Sequence, residues 1–387
     1  MNKARTPSVI NTLFKLSAVF LPFALTACAS LNSTPPRVTD ETLIKAQQQQ
    51  LQQESLTKQI GLTQKAHGLI WPILSANAEF CEKTEQHTGL VAGGLKRWSS
   101  TGKLPSPLLK ELGEDKGIRV LYSIPNSSAS QQNIVRGSQI LAINDTALAD
   151  DISDAEFDKL LNAAAKENKL SVQIQAPNQS EKIKLELNTQ TVCKINLQVS
   201  DTPVINASAT SSTITFTSGI LERVTDTKLI QIVAGHELAH LTQNHSGKIL
   251  RNLTVTGAIV YGPVLVIAGS IADTVLDILP IKKPDTSLSN RAMGVMMHPF
   301  GPDFEREADY IGAYFAVRAG IDLESPENVF RALALSSPKS TYVSETTHPI
   351  APERMLTMKE TFKEIKAKQA QALPLIPNGY VGPALKK

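Results

Sequence analysis

The chain is short of cysteine, of net charge and of unbroken apolar runs. Its 387 residues include three cysteines, Cys28, Cys81 and Cys193, with no Cys-x-x-Cys spacing, which argues against a structural zinc knuckle. The formal net charge is only +3, so no basic field calls for nucleic acid and none is expected as a partner. Leu13–Leu25 is broken by Lys15, Ser17 and Pro22 and is too short to cross a bilayer comfortably. Residues 252–272 carry no formal charge, but Gly257, Gly262, Pro263 and Gly269 interrupt them and Asn252, Thr254 and Thr256 dilute their start. A buried or membrane-leaning hairpin is expected there in preference to a span. The remaining balance, 42% hydrophobic and 19% charged residues, suits a globular protein with room for two or three domains.

The first residues form a targeting segment. Lys3 and Arg5 give a positive start, and the apolar run ends in small residues. Leu25-Thr26-Ala27-Cys28 resembles the bacterial lipobox. That resemblance implies removal of residues 1–27 and lipidation of Cys28, with an ordinary cleaved signal peptide as the alternative. Ala29, not Asp, follows Cys28. Under the sorting rule of such lipoproteins this implies anchoring to a bacterial outer membrane, facing the periplasm. Several acyl chains on one Cys make a firm anchor. Cys81 and Cys193 would then be two thiols in an oxidising compartment, where a disulfide is plausible and two separately buried thiols are the alternative.

The chemistry is concentrated in His236-Glu237-Leu238-Ala239-His240. Thr225 and Asp226 supply N-cap chemistry and no proline follows, so Asp226–His245 is expected to be one helix. Positions four apart share a helix face, which lets His236 and His240 bind one ion, and neutral imidazole suits zinc. Glu237 points about 100° round the helix, where it can act as a general base without being a ligand. The bland alternative is a pair of packed core histidines. Two histidines leave a zinc peptidase one protein ligand short. His245, nine residues beyond His236, lies about 180° round the helix and so cannot join from it. His298 sits in a Pro- and Gly-rich loop over 281–303. Glu305 and Asp309 share a face of the next helix, Asp303–Arg318, where one carboxylate can bind metal and the other orient an imidazole. An ordinary acidic pair in a first helical turn is the competing reading. Glu307 points about 200° from Glu305 and is expected to be solvated.

The rest of the chain divides by composition. Residues 28–60, with Pro35-Pro36 and a Gln-rich run, are expected to be a tether, either a loose helix or a disordered spacer. Residues 61–113 open with a helical pattern that Pro72 should kink or split. Residues 114–190 alternate as strands, at Ile118–Tyr122, Gln139–Asp145, Leu170–Ile174 and Lys182–Leu187, around a helix over Asp154–Lys166. This order, with the Gly137-to-Asn144 run, resembles a PDZ domain. The resemblance implies binding of extended peptide ends by strand addition, although Ser138 stands where the bacterial pattern has Asp and no clear carboxylate-binding loop precedes Ile118. Residues 191–372 form the core that carries the site, closing in a helix over Pro352–Ala372 with Glu360–Lys363 and Glu364–Lys368 pairs on its wet face. Residues 373–387, with three prolines, are expected to be loose.

The His-Glu-Leu-Ala-His run followed by Glu305-Arg306-Glu307-Ala308-Asp309 resembles the HtpX/BepA-like gluzincin peptidases. Asn206-Ala207 with Thr213, Ile214, Thr215, Phe216 and Thr217, the Ala319-Gly320-Ile321-Asp322 helix ending, and Thr347-His348-Pro349 with Arg354 resemble further segments of that family. The fold implied is α+β, a mainly helical zincin-type core with a small β-sheet and an inserted PDZ-like unit. The resemblance implies one zinc per chain, held by His236, His240 and Glu305, with Glu237 taking a proton from the attacking water. It implies that Asp309 orients a ligand imidazole, that Thr213–Thr217 holds the substrate extended, and that Arg354 braces the loop of His348. His348 would either donate to the tetrahedral oxyanion or occupy the open metal position. The expected activity is zinc endopeptidase action on misfolded or misassembled envelope proteins, with a chaperone-like peptide binder or a structural assembly factor as alternatives.

Overall fold

The computed structural model describes residues 36–94, 97, 116–249, 301–322 and 352–382. Cys28 with the targeting segment, the apolar stretch 252–272, His298 and His348 lie outside these residues. The chain divides into two units, Met1–Lys45 and Ala46–Lys387. In the first, Asp40 Oδ1 accepts the Thr42 amide at 2.9 Å, which opens helix α1 (Glu41–Ala76). The elements below belong to the second.

Helix α1 begins at Glu41, so the Gln-rich stretch takes the helical one of its two expected forms, and the helix runs through Pro72 as one element instead of splitting there. Gln, Glu, Lys and Leu are good helix formers, so a polar run without Gly or Pro can be an exposed helix as readily as a spacer. Pro72 falls close to the C-terminal end, where a missing amide loses one backbone bond. From Ile60 on, the helix buries Ala66, Ile70, Trp71, Ile73 and Leu74.

A 3-10 turn at Ala78–Phe80 leads into β1 (Thr84–His87), β2 (Leu90–Gly93), β3 (Ile118–Ser123), β4 (Gln139–Ile143), β5 (Thr146–Ala147), α2 (Asp154–Ala164), β6 (Lys169–Gln175), β7 (Lys182–Asn188) and β8 (Gln190–Cys193). One sheet has the order β2-β3-β4-β6-β7, with β5 on β4. Alternation produces its core: Leu170, Val172 and Ile174 of β6 turn inward, beside Ile118, Val120, Ile140 and Phe157. Helix α2 starts on a capping box, Ser153 accepting the Glu156 amide while the Glu156 carboxylate accepts the Ser153 amide. The insert is closed at its base. Strands β1 and β8 pair with Thr84 opposite Cys193, and Cys81 and Cys193 form a disulfide with a Cα–Cα distance of 5.6 Å.

The remaining elements are β9 (Asn196–Ser200), β10 (Ala207–Ala209), β11 (Thr213–Thr217), α3 (Ser218–Arg223), α4 (Thr227–Thr242), α5 (Pro302–Arg318) and α6 (Pro352–Ala370). The small sheet runs β10-β11-β9, β11 lying antiparallel to β10 and parallel to β9. Its Ile214 and Phe216 join Ile70 and Ile73 of α1, Phe80, Leu238 and Ala239 of α4, and Ala308 and Phe315 of α5 in the main core.

Helices α4 and α5 cross at two glycines. A Cβ on Gly235 would stand 2.7 Å from the Gly312 carbonyl oxygen, and one on Gly312 would stand 2.7 Å from the His236 backbone. The backbones therefore touch where the first histidine of the motif sits. At its far end α5 is tied to α1. The Asn77 amide donates to the carbonyls of Ile73 at 2.9 Å and Phe315 at 3.0 Å, and Arg318 donates to Asn77 Oδ1 at 3.0 Å while covering the Phe80 ring. On its other side α5 meets α6. Tyr310 and Tyr314 both donate to Glu364 Oε1, at 2.7 and 2.5 Å, so Glu364 serves this interface as well as its Lys368 neighbour at 3.6 Å. The segment after Leu373, expected to be loose, instead carries Tyr380 into the core edge-on to Phe80. Its prolines set an extended course, and Leu375, Ile376 and Tyr380 give it apolar surface to bury. No described helix is long and apolar enough to cross a membrane.

Candidate active site

Helix α4 begins on Asp226, whose side chain accepts the Lys228 amide at 2.9 Å, and buries its second half, His236, Glu237, Leu238, Ala239 and His240 included. Helix α5 starts with Pro302 in its first turn and buries Glu305 and Asp309 on the face that meets α4. The crossing at Gly235 and Gly312 brings these two faces together. His236 Nε2 and His240 Nε2 are 2.9 Å apart. Glu305 places one oxygen 3.6 Å from the first and the other 3.4 Å from the second. The three side chains can hold one metal ion, their ligand atoms lying within 4.8 Å of one another.

The outward nitrogens explain why the inward ones suit a cation. His236 Nδ1 lies 2.9 Å from Asp309 Oδ1. An ionised carboxylate only accepts, so the neutral imidazole carries its proton on Nδ1 and turns a lone pair inward at Nε2. Burial pushes the Asp309 carboxyl up, but the charge and hydrogen bonds of Arg354, with the bond from His236, hold it below its ordinary value. His240 Nδ1 lies 2.8 Å from His245 Nδ1, and His245 Nε2 lies 2.8 Å from Glu307 Oε2. The Glu307 carboxylate accepts from Nε2 of neutral His245, which leaves His245 Nδ1 to accept from His240 and gives His240 an inward lone pair as well. Two lone pairs and a carboxylate converging on one point fit a divalent cation.

Arg354, from α6, closes the far side. It donates to Asp309 from Nε and from one terminal nitrogen, each at 2.7 Å, and its other terminal nitrogen is 3.0 Å from Glu305 Oε2. Burial works against its charge, but the carboxylates of Asp309, Glu305 and Glu237 raise its pKa above the ordinary value. Arg354 thus acts on the metal-site carboxylates; the loop of His348, which the sequence expects it to brace, lies outside the described residues.

Three expectations need correction. Helix α4 stops at Thr242. Asn244, at φ 50°, adopts the left-handed conformation that ends helices, and the chain turns His245 back beneath His240. The angular argument against His245 holds only for a helix that continues. Glu307 is not simply solvated. Its carboxyl is pulled down by the hydrogen bond from fully buried His245, with partial burial opposing and Lys248 assisting. Strand β11 cannot hold a substrate by main-chain pairing, because β10 occupies one of its edges over Ile214–Phe216 and β9 the other over Thr213–Thr217. Among the described residues the unpaired outer edge on that side belongs to β10, Ala207–Ala209. Asn206, just ahead of it, is fastened to Thr217 by amide and carbonyl bonds of 3.1 and 2.8 Å. A visible signal for the first correction was Asn244 itself, a residue type that tolerates positive φ.

A family model described as peptidase family M48 matches residues 167–362. The chain belongs to peptidase family M48. This makes it a metallopeptidase, and the matched residues include His236, Glu237, His240, Glu305, Asp309 and Arg354. A search of curated proteins finds none that matches this M48 chain. Among solved structures it is similar to the PDZ domain of HtrA3, crystallised with a phage-derived ligand. That likeness has 19% identity and a TM-score of 0.21, and covers 28% of this chain and 89% of the other.

Proposed function

We propose that this M48 peptidase is a zinc endopeptidase, anchored by a lipid on Cys28 to a bacterial outer membrane and acting in the periplasm on misfolded or misassembled envelope proteins. The observation that carries the chemistry is the convergence of the two Nε2 lone pairs and the Glu305 carboxylate, with Glu237 on the same turn as His236. Zinc bound there would supply a Lewis acid for the scissile carbonyl and a lowered pKa for the attacking water. Glu237, buried beside these ligands, takes the proton from that water and returns it to the leaving amine. The chain being cut pairs with the β10 edge at Ala207–Ala209, a register that main-chain hydrogen bonds can hold without regard to side chains. His348 is the proposed oxyanion donor or, in a restrained state, the occupant of the open position.

The disulfide Cys81–Cys193 supports an oxidising compartment, and Cys28→Ser is expected to release the protein from membranes. In the insert, the outer strand β2 lies beside α2 over a groove of about 260 Å³, lined by Leu90, Ala92, Leu161 and Leu170 together with His67 of α1 and His87. This groove supports a PDZ-like role in holding peptide ends for the peptidase core. It also supports the alternative, a peptide-binding assembly factor with a latent zinc site. The test is cleavage of an unfolded protein by the purified full chain before chelation, after it, and after zinc is returned. The proposal expects cleavage, loss and recovery. A chain that binds zinc and peptide but cuts nothing favours the alternative.

A further inference from the structure

The zinc reading uses His236, His240, Glu305, Glu237, Asp309 and Arg354, and leaves a second buried arm unexplained. We infer that His245 and Glu307 form a positioning arm for His240, the counterpart of the Asp309–Arg354 arm behind His236. This inference rests on the zinc reading of the site.

The geometry of the arm is complete in the fold. His245 is fully buried and sits edge-on to His240, ring centroids 4.9 Å apart at 79°. Phe304, from the first turn of α5, covers the His245 ring at 4.6 Å and 33°. The two imidazoles meet Nδ1 to Nδ1 at 2.8 Å. That contact needs one donor and one acceptor, and Glu307 at His245 Nε2 decides which is which. With neutral His245 donating Nε2–H to that carboxylate, its Nδ1 can only accept, so His240 donates there and keeps its Nε2 lone pair for metal. Glu307 is itself steadied by Lys248, whose ammonium is 3.8 Å from the same oxygen. The left-handed turn at Asn244 makes the arm possible, because it returns the chain under the helix end instead of extending it. Helix α5 therefore serves both arms, Asp309 reaching His236 directly and Glu307 reaching His240 through His245.

The experiment is competitive zinc titration of the full chain, with cobalt substitution as a spectroscopic readout of ligand geometry. His245→Ala and Glu307→Ala are expected to weaken zinc about 10- to 100-fold, as lost supporting hydrogen bonds do elsewhere, and to change the cobalt spectrum. His245→Asn keeps an acceptor where Nδ1 stands, and Glu307→Gln keeps an acceptor at Nε2. Both should recover most of the affinity, which packing alone would not give. His245→Ala with wild-type affinity and spectrum overturns the inference, and so does His245→Asn binding no better than His245→Ala. If His245→Ala does not fold, Glu307→Ala decides, since Glu307 is 41% exposed; unchanged zinc affinity there overturns the inference. Wild-type protein that binds no zinc overturns the zinc reading, and this inference with it.

Discussion

Arg354 grips Asp309 in a buried two-pronged bond, Nε to one oxygen and a terminal nitrogen to the other, each at 2.7 Å. The planar fork matches the carboxylate, and its remaining nitrogen reaches Glu305. One guanidinium thus sets the orientation of a proposed metal ligand and of the carboxylate behind another.

Removing that guanidinium leaves Asp309, Glu305 and Glu237 as neighbouring buried carboxylates. Arg354→Ala is expected to lower the stability of the zinc-free protein by about 3–5 kcal/mol, the usual cost of breaking a buried pair from one side. Arg354→Lys keeps the charge and loses the fork, so it should recover part of the stability but bind zinc less tightly than wild type. Denaturant unfolding and zinc titration of the three proteins check this. An Arg354→Ala protein as stable as wild type would contradict it.

The Gly235–Gly312 crossing gives a prediction with no polar chemistry in it. Gly312→Ala would press a methyl group onto the His236 backbone at 2.7 Å. Helix propensity favours alanine by about 1 kcal/mol, but overpacking costs about 1–3 kcal/mol, and the contact is with backbone that cannot swing aside. Loss of stability together with weaker zinc binding is expected, measured by thermal unfolding and titration. A stabilised protein with unchanged zinc affinity would show that the helices can separate freely.

The junction between α1 and the insert should respond to acid. His67 Nδ1 lies 2.9 Å from the Tyr122 hydroxyl, and His87 packs edge-on to Trp71. Burial, with His87 nearby, lowers His67 to about 4, and burial lowers His87 to about 4. The unfolded chain takes up these protons near 6.5 while the folded chain resists until about 4, so stability is full above 6.5 and falls as pH drops from 6.5 towards 4. Glu85, raised by burial with Lys194 opposing, titrates with the opposite sign, but it is common to both proteins in a comparison. The double variant His67→Gln, His87→Gln should show a flatter stability profile across that window. An equal slope in both proteins would contradict the assignment.

Much of the site was legible because a helix fixes angles. The spacing of His236 and His240, and of Glu305 and Asp309, carried over directly to two facing helix surfaces. Strand β6 was legible because its alternation mirrors its burial. What was missed depends on contacts between distant segments or on where an element stops. Nothing local in Gly312 says that His236 will pass over it. The partners of Arg354 lie on another helix. His245 is no ligand, as expected, but its place beneath His240 depends on Asn244 ending the helix, and a strand pattern does not reveal which edges of β11 are taken. The Gln-rich start of α1 stayed open between helix and spacer because a polar composition does not distinguish exposed helix from loose chain.

The central claim is that Glu237 is the proton carrier of a zinc peptidase. Its most direct test compares wild type and Glu237→Gln at measured zinc content, with an unfolded protein as substrate. The account predicts about one zinc per chain in both proteins and a loss of cleavage of about 100-fold or more in the variant alone. A Glu237→Gln protein that carries zinc and cuts as fast as wild type would contradict it.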